Sequence, residues 1–167
     1  MMDKICKMMA AFKAIMRAIP QSFILFMARI GMAGIFWRSG MTKITFNEEG
    51  VAGFSLSALW NVLSLDWTVN SNVYMLFEYE YDLPLLPFDW AANMAVAAEL
   101  ILPILLILGF FTRYAALSLL VMALVIQIFV LPGSWPDHAL WMAAALYLMA
   151  KGGGRLSVDH IFFRKCL

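Results

Sequence analysis

Charged residues are scarce in this sequence, and their scarcity excludes an ordinary soluble fold. Asp, Glu, Lys and Arg make up 14% of the 167 residues, whereas 63% are hydrophobic. The mean hydropathy is +0.81. A soluble domain of this length needs more polar surface to cover its core, so the composition indicates an integral membrane protein. The net charge of +1 argues against nucleic acid as a partner.

Cysteine and histidine are also scarce, which limits the redox and metal chemistry that the chain can support. The two cysteines, Cys6 and Cys166, lie at opposite ends of the chain and form neither a CxxC motif nor a metal-spaced pair. A metal site would need more His or Cys side chains than this, so we expect no metal. The 13 methionines are soft side chains that can bind copper, but their positions favour packing.

Four hydrophobic stretches come close to the roughly 20 apolar residues that a helix needs to cross a bilayer. They predict transmembrane helices at about residues 22–46, 90–111, 114–131 and 135–150. No internal repeat or linker separates them, so residues 1–167 are predicted to form one membrane domain. The predicted fold class is all-α, an integral membrane four-helix bundle.

Lys and Arg are absent from the segment between the first two predicted spans, residues 47–89, which contains acidic residues instead. Basic residues lie before the first span, in the turn between the second and third spans, and after the fourth. The positive-inside rule therefore predicts that both termini are cytoplasmic and that the acidic loop is outside. The tryptophans lie on or near the same outer side, where they favour the membrane interface.

Two segments outside the spans are predicted to lie on the membrane surface. Residues 1–19 form a helix with one apolar face and one basic face, typical of a helix on an anionic inner leaflet, and Pro20 ends it. We expect this helix to be retained and not cleaved as a signal peptide. In the outer loop, the mixed aromatic and acidic stretch Asn72–Tyr81 predicts a short helix on the outer surface.

Charged side chains within the predicted spans are unfavourable, because each costs ~2.5–3.5 kcal/mol at the centre of a membrane helix. Arg29 and Glu99 are predicted to lie at similar depths when each is measured from its own face of the bilayer, at about 1.5 Å per residue. We therefore expect an intramembrane Arg29–Glu99 ion pair. Such a pair either orients the helices or takes part in function, and the sequence leaves both open.

One face of the first span is predicted to point into the bundle. A spacing of i, i+4, i+7, i+11 and i+14 places on this face Arg29, Ala33, Phe36, Gly40 and Lys43. The small residues on it allow a neighbouring helix to come close. Arg38 projects nearly the opposite way, and an outer-loop carboxylate is its expected partner.

A second polar group is predicted at the outer side of the bundle. Its members are Arg38, Lys43, Glu78, Asp82, Gln127, Trp135, Asp137 and His138. A histidine near carboxylates is more typical of a helix cap or a hydrogen-bonded surface residue than of a ligand-binding group. The candidate polar core for ligand binding consists of Arg29, Lys43, Glu99, Gln127 and His138. The remaining outer residues form a polar and aromatic face, and no catalytic residue is assigned.

Several stretches of the sequence resemble the DoxX family of small membrane proteins. The pattern R-x4-G-x-F-x3-G-x2-K, here Arg29, Gly34, Phe36, Gly40 and Lys43, resembles the family's first helix. The second span also matches in Ala98–Arg113, and Val125–Trp141 and Gly152–His160 resemble one bacterial branch of the family. The resemblance covers most of the chain from Arg29 onward and implies a four-helix bundle of the inner membrane.

Two functions are compatible with this resemblance, whose family takes its name from subunits of an archaeal thiosulfate:quinone oxidoreductase. The first is a membrane subunit of an oxidoreductase that binds a quinone or similar lipid, with Arg29 and Glu99 polarising a carbonyl or relaying a proton. The second is a non-enzymatic membrane partner, anchor or assembly subunit for a periplasmic or redox protein, with the outer loop as its contact surface. The small number of catalytic groups favours the second, and enzymatic activity stays open.

Overall fold

A computed structural model describes residues 2–47, 55–81, 83–84 and 86–162, and these are mostly helical. The first half contains α1 (Met2–Arg17), α2 (Gln21–Met41), β1 (Ile44–Phe46), α3 (Leu56–Leu63), β2 (Trp67–Val69), α4 (Ser71–Leu76) and a π-helical turn (Phe77–Tyr81). The second half contains α5 (Phe88–Leu108), α6 (Thr112–Val125), a π-helical turn (Ile126–Val130), a 3₁₀ turn (Pro132–Ser134), α7 (Trp135–Lys151) and α8 (Val158–Phe162).

The four long helices α2, α5, α6 and α7 pack against one another. α2 contacts α5 and α7, and α6 contacts the same two helices from the other side. Their shared core contains large apolar side chains together with alanines that are almost fully buried, among them Ala33, Ala116 and Ala145. Because alanine lets two helix backbones approach closely, these positions hold the helices in tight contact.

Two of these helices are long and apolar enough to cross a membrane, judged over the described ranges by length and composition. They are Phe88–Leu108 and Thr112–Val130, the second including the π-helical turn after α6. A third span results if Lys4–Arg17 and Gln21–Met41, which are bent by 60° relative to each other, count as one broken span. The four-span bundle with cytoplasmic termini therefore stays a prediction, whereas the helical, membrane-type fold is observed.

The predicted outer loop folds together with the end of the predicted first span, and we call residues 44–47 and 55–81 the cap. β1 and β2 pair antiparallel with Ile44 opposite Val69, and α3 lies between them in sequence. α4 and the following π-helical turn contact α5, so that a second apolar core joins the cap to the first half of that helix. The helix predicted at Asn72–Tyr81 is present, whereas the two strands and α3 were not predicted.

The predicted N-terminal helix is present as α1, and it ends before Pro20. Its described side chains are all exposed, including Met8, Phe12 and Ile15 on its apolar face. No other part of the chain that the structure describes covers this face. Its location on a membrane surface stays a prediction.

Candidate functional site

The predicted inward face of α2 agrees with the burial of its side chains. Arg29, Ala33, Phe36 and Gly40 are buried. Lys43, one turn further on, keeps 18% of its side-chain surface exposed. The face therefore carries one cation near each end, and each cation has its own set of partners.

The guanidinium of Arg29 is held by four backbone carbonyls. Nε donates to Leu106 O at 2.7 Å and Nη2 to Ile107 O at 2.6 Å. Nη1 donates to Gly153 O at 2.9 Å and to Leu156 O at 2.6 Å. The last carbonyls of a helix have no partner within the helix and lie at the negative end of its dipole. Arg29 therefore caps the C-terminus of α5 and ties the segment after α7 to it.

Asp159 completes this centre from the other side of the α5–α6 turn. Its Oδ1 accepts the Phe111 N–H at 2.8 Å and its Oδ2 accepts the Thr112 N–H at 2.9 Å. The Asp159 N–H donates to Gly109 O at 2.9 Å. A carboxylate at a helix N-terminus binds unpaired N–H groups at the positive end of the dipole. Arg29 and Asp159 thus cap two consecutive helices, and we call this group the Arg29 centre.

Two glycines make room for the Arg29 centre. Gly109 has φ +68°, and a Cβ there would lie 2.5 Å from Ser157 Cβ and 2.8 Å from Arg29 Cζ. A Cβ on Gly153 would lie 2.6 Å from Ser157 Cβ. All three distances are shorter than the non-bonded contacts that real Cβ atoms make, so only glycine lets the chain segments approach this closely.

The second cation, Lys43, pairs with Glu99. Its Nζ lies 2.6 Å from Glu99 Oε2 and also donates to Ser39 Oγ at 2.7 Å. Gly40 lets α5 come close enough for this pair, because a Cβ at Gly40 would lie 3.1 Å from Glu99 Cβ. Tyr81 of the cap lies within the field of the same carboxylate.

The pKa of the Tyr81 phenol is shifted by its burial and by nearby carboxylates. Burial is the largest cause that raises its pKa above the ordinary value, and the charges of Glu80 and Glu99 raise it further. The phenol therefore stays protonated at neutral pH and remains able to donate a hydrogen bond. We call Ser39, Lys43, Tyr81 and Glu99 the Lys43 centre.

The predicted Arg29–Glu99 ion pair was wrong. Glu99 lies level with Gly40, which is three turns beyond Arg29 and about 16 Å away along α2. The depth estimate failed because residues were counted inward from the two predicted membrane faces. The contact between the antiparallel helices, which sets their register, did not enter the count. Side chains also point toward the N-terminus of their own helix, so Arg29 and Glu99 project in opposite directions.

The predicted outer polar group is only partly brought together. His138 is buried, and its Nδ1 lies 2.7 Å from Gln127 Oε1, while Gln127 Nε2 donates to Pro132 O at 2.9 Å. The imidazole also packs on Trp141, with ring centroids 4.7 Å apart. These contacts agree with a hydrogen-bonded structural histidine, here one that closes the π-helical turn after α6.

The other members of that group lie on the surface or beyond the described residues. Arg38, Glu78, Trp135 and Asp137 are exposed, and within the described ranges none of them makes a hydrogen bond or ion pair with the buried groups. Asp82 lies outside the described residues. The expected carboxylate partner of Arg38 is therefore not among the residues that the structure describes.

Sequence reasoning missed the contribution of the C-terminal segment. Asp159 and Ser157 lie beyond the last predicted span and were given no role, whereas they fold back beneath the α5–α6 turn. The three consecutive glycines Gly152–Gly154 were the available signal, because such a run marks a place where chain segments approach closely.

Comparison with known proteins gives one match. The family model described as DoxX matches residues 24–132, from α2 to the 3₁₀ turn before α7. The matched range contains Arg29, Lys43 and Glu99, and it excludes Asp159. No curated protein and no solved structure matches the chain.

Proposed function

The chain belongs to the DoxX family, and we propose that this member is a non-catalytic subunit that binds another protein at the membrane. In this proposal α2, α5, α6 and α7 form a four-helix bundle in the inner membrane of a bacterium. Both termini are cytoplasmic, and the cap lies on the outer side as the surface for the partner protein.

The observation that carries this proposal is that the side chains of the candidate polar core are bonded to other groups of the protein. Arg29 donates four of the five N–H groups of its guanidinium to backbone carbonyls. Glu99 binds Lys43, and His138 binds Gln127. A quinone carbonyl or a transferred proton needs a donor or acceptor that is available to it. These groups therefore fit a structural role better than a redox site.

The cap offers a surface for a partner. On α3, Leu56 is 86%, Trp60 71% and Leu63 65% exposed, whereas Ala58 and Val62 face the cap's own core. The spacing of i, i+4 and i+7 places the three exposed side chains on one face of the helix. A contiguous apolar face of this kind marks a site of contact with a protein or a membrane.

Charge favours a protein over a lipid surface as the partner of the cap. Glu78 and Glu80 are exposed on the cap, and the loop 47–89 contains no Lys or Arg. An acidic surface is repelled by anionic lipid headgroups, which attract basic segments instead. It is complementary to a partner protein that surrounds an apolar contact with basic residues.

Photo-crosslinking in cells tests this proposal. A photoreactive amino acid is placed at Trp60, and a matched control is placed at Leu140 of α7, which is also 71% exposed. We expect a protein adduct of discrete mass at Trp60 and none at Leu140. The paired substitution Leu56→Ser and Leu63→Ser should abolish the adduct. Lipid adducts alone at both positions would show that the cap contacts the membrane, and the proposal would fail.

A further inference from the structure

A groove of about 570 Å³ runs along α2 beside the C-terminal part of α5. It is lined by Ile30, Gly34, Trp37, Arg38 and Met41, by Thr42 just after α2 and, from α5, by Ile107. A Cβ at Gly34 would meet no atom within 4 Å, so the missing side chain leaves the groove open at its middle. The lining is apolar except near Arg38, and an apolar chain fits such a surface.

Arg38 places one positive charge at an end of this groove. It lies in the last turn of α2 and is exposed. Within the described residues it makes no hydrogen bond or ion pair. A guanidinium presents its N–H groups in a fork that matches the oxygen atoms of a phosphate. The groove thus has an apolar body and a cationic end.

The length of the groove fits one leaflet of a bilayer. Ile30 and Met41 are separated by about 16 Å along α2, at about 1.5 Å per residue. The hydrocarbon core of a bilayer is about 30 Å thick, so that one leaflet contributes roughly 15 Å. A lipid with its phosphate at Arg38 would therefore place one acyl chain along the groove from Arg38 to Ile30, about 12 Å at 1.5 Å per residue.

We propose that this groove binds an anionic phospholipid, with its phosphate on Arg38 and an acyl chain over Gly34. This inference rests on the membrane position of α2 in the proposed function and adds a ligand to it. A second copy of the chain fits less well, because a symmetric contact at this face would bring two Arg38 guanidinium groups together.

Native mass spectrometry of protein released from nanodiscs tests the proposal, using equal amounts of phosphatidylglycerol and phosphatidylethanolamine as probes. The wild-type protein should retain one phosphatidylglycerol. Arg38→Gln should lower the preference for phosphatidylglycerol by about fivefold, the effect of one cation near an anionic lipid surface. Gly34→Leu fills the groove and should reduce retention of both lipids.

Two control substitutions match these changes in chemistry. Gly31→Leu adds the same side chain to α2 at a position where a Cβ also meets no atom within 4 Å and which does not line the groove. Arg155→Gln removes an exposed cation elsewhere. Both controls should retain phosphatidylglycerol like the wild type. Equal melting temperatures of all variants show that the fold is intact.

Three outcomes would overturn the proposal: an unchanged lipid preference in Arg38→Gln, retention of a quinone in place of a phospholipid, or a dimer that Gly34→Leu dissociates. Failure of the proposed function gives different results. Release of the protein from membranes by alkaline carbonate would contradict the membrane position itself. If no protein adduct forms at Trp60 but phosphatidylglycerol is retained, the proposal of a partner protein fails and the proposal of a lipid site stands.

Discussion

Replacing Arg29 with Met removes the guanidinium from a site where it is only 1% exposed. The carbonyls of Leu106, Ile107, Gly153 and Leu156 then lose their donor, and Asp159 loses a nearby positive charge. Hydrogen bonds to a charged group contribute about 1.5–3 kcal/mol each, but bonds that share one donor group are not additive. Removing one side of a buried ionic group costs about 3–5 kcal/mol.

This loss predicts a lower melting temperature for Arg29→Met in detergent. For a domain of about 150–250 residues, each kcal/mol shifts the midpoint by roughly 2–4 °C, so the expected decrease is about 6–20 °C. Trypsin should also cut faster after Arg155, because the segment that contains it is tied down through Gly153 and Leu156. Intrinsic tryptophan fluorescence and timed proteolysis measure the two effects.

Two variants decide whether the reasoning is right. Arg38→Met makes the same substitution on the exposed side of α2 and should change the midpoint by little. Arg29→Lys keeps the charge but lacks the fork of donors, so it should fall between wild type and Arg29→Met. If Arg29→Met melted within about 1 °C of the wild type, the capping role of Arg29 would be refuted.

Three other predictions follow from the two centres. In a double-mutant cycle measured by thermal melting, Lys43→Met and Glu99→Gln should show a coupling energy of about 0.5–3 kcal/mol, whereas the changes in unfolding free energy of Arg29→Met and Glu99→Gln should add within about 0.3–0.5 kcal/mol. Coupling in the second cycle alone would support the Arg29–Glu99 pair that the structure contradicts. Gly109→Ala should destabilise the fold by more than the ~1–3 kcal/mol of a strained φ angle, because the added Cβ also meets Ser157. The control Gly31→Ala should be neutral or stabilising, and equal melting temperatures of the two variants would contradict this. Glu80→Gln should lower the pKa of Tyr81 toward the ordinary value, since one of the charges that disfavour the phenolate is gone. A pH titration of phenolate absorbance, with Tyr81→Phe subtracted as the background, measures this pKa. An unchanged pKa would show that the Glu80 carboxylate does not act on the phenol.

The long helices could be predicted from the sequence because periodicity and hydropathy report the burial of their side chains. The second span was expected at about 90–111 and is found as Phe88–Leu108. The first was expected to continue to residue 46, but α2 ends at Met41, and Ile44–Phe46 forms a strand that pairs with Trp67–Val69. A three-residue strand leaves too short a pattern to distinguish it from the end of a hydrophobic helix.

The partners of the buried charges could not be predicted in the same way. A helical wheel shows which side of α2 is inward, but the partner of Arg29 depends on the register of α2 against α5. Register is set by contacts such as that between Gly40 and Glu99 and by a chain segment that returns more than 120 residues later, as the separation of 124 between Arg29 and Gly153 shows. The glycines at these contacts indicate that another segment comes close, but they do not identify which segment it is.

α2 carries Arg29 within its length, and Lys43 follows two residues after its end. By length and composition α2 qualifies as a span only together with α1, and each cation at the centre of a membrane helix costs ~2.5–3.5 kcal/mol. Both cations find their acceptors on α5, Arg29 at its C-terminal carbonyls and Lys43 at Glu99. A shift of α2 by one turn would separate both pairs at once, so the charges select a single register. In the proposed membrane bundle, α2 is therefore favourable only when α5 lies beside it in that register.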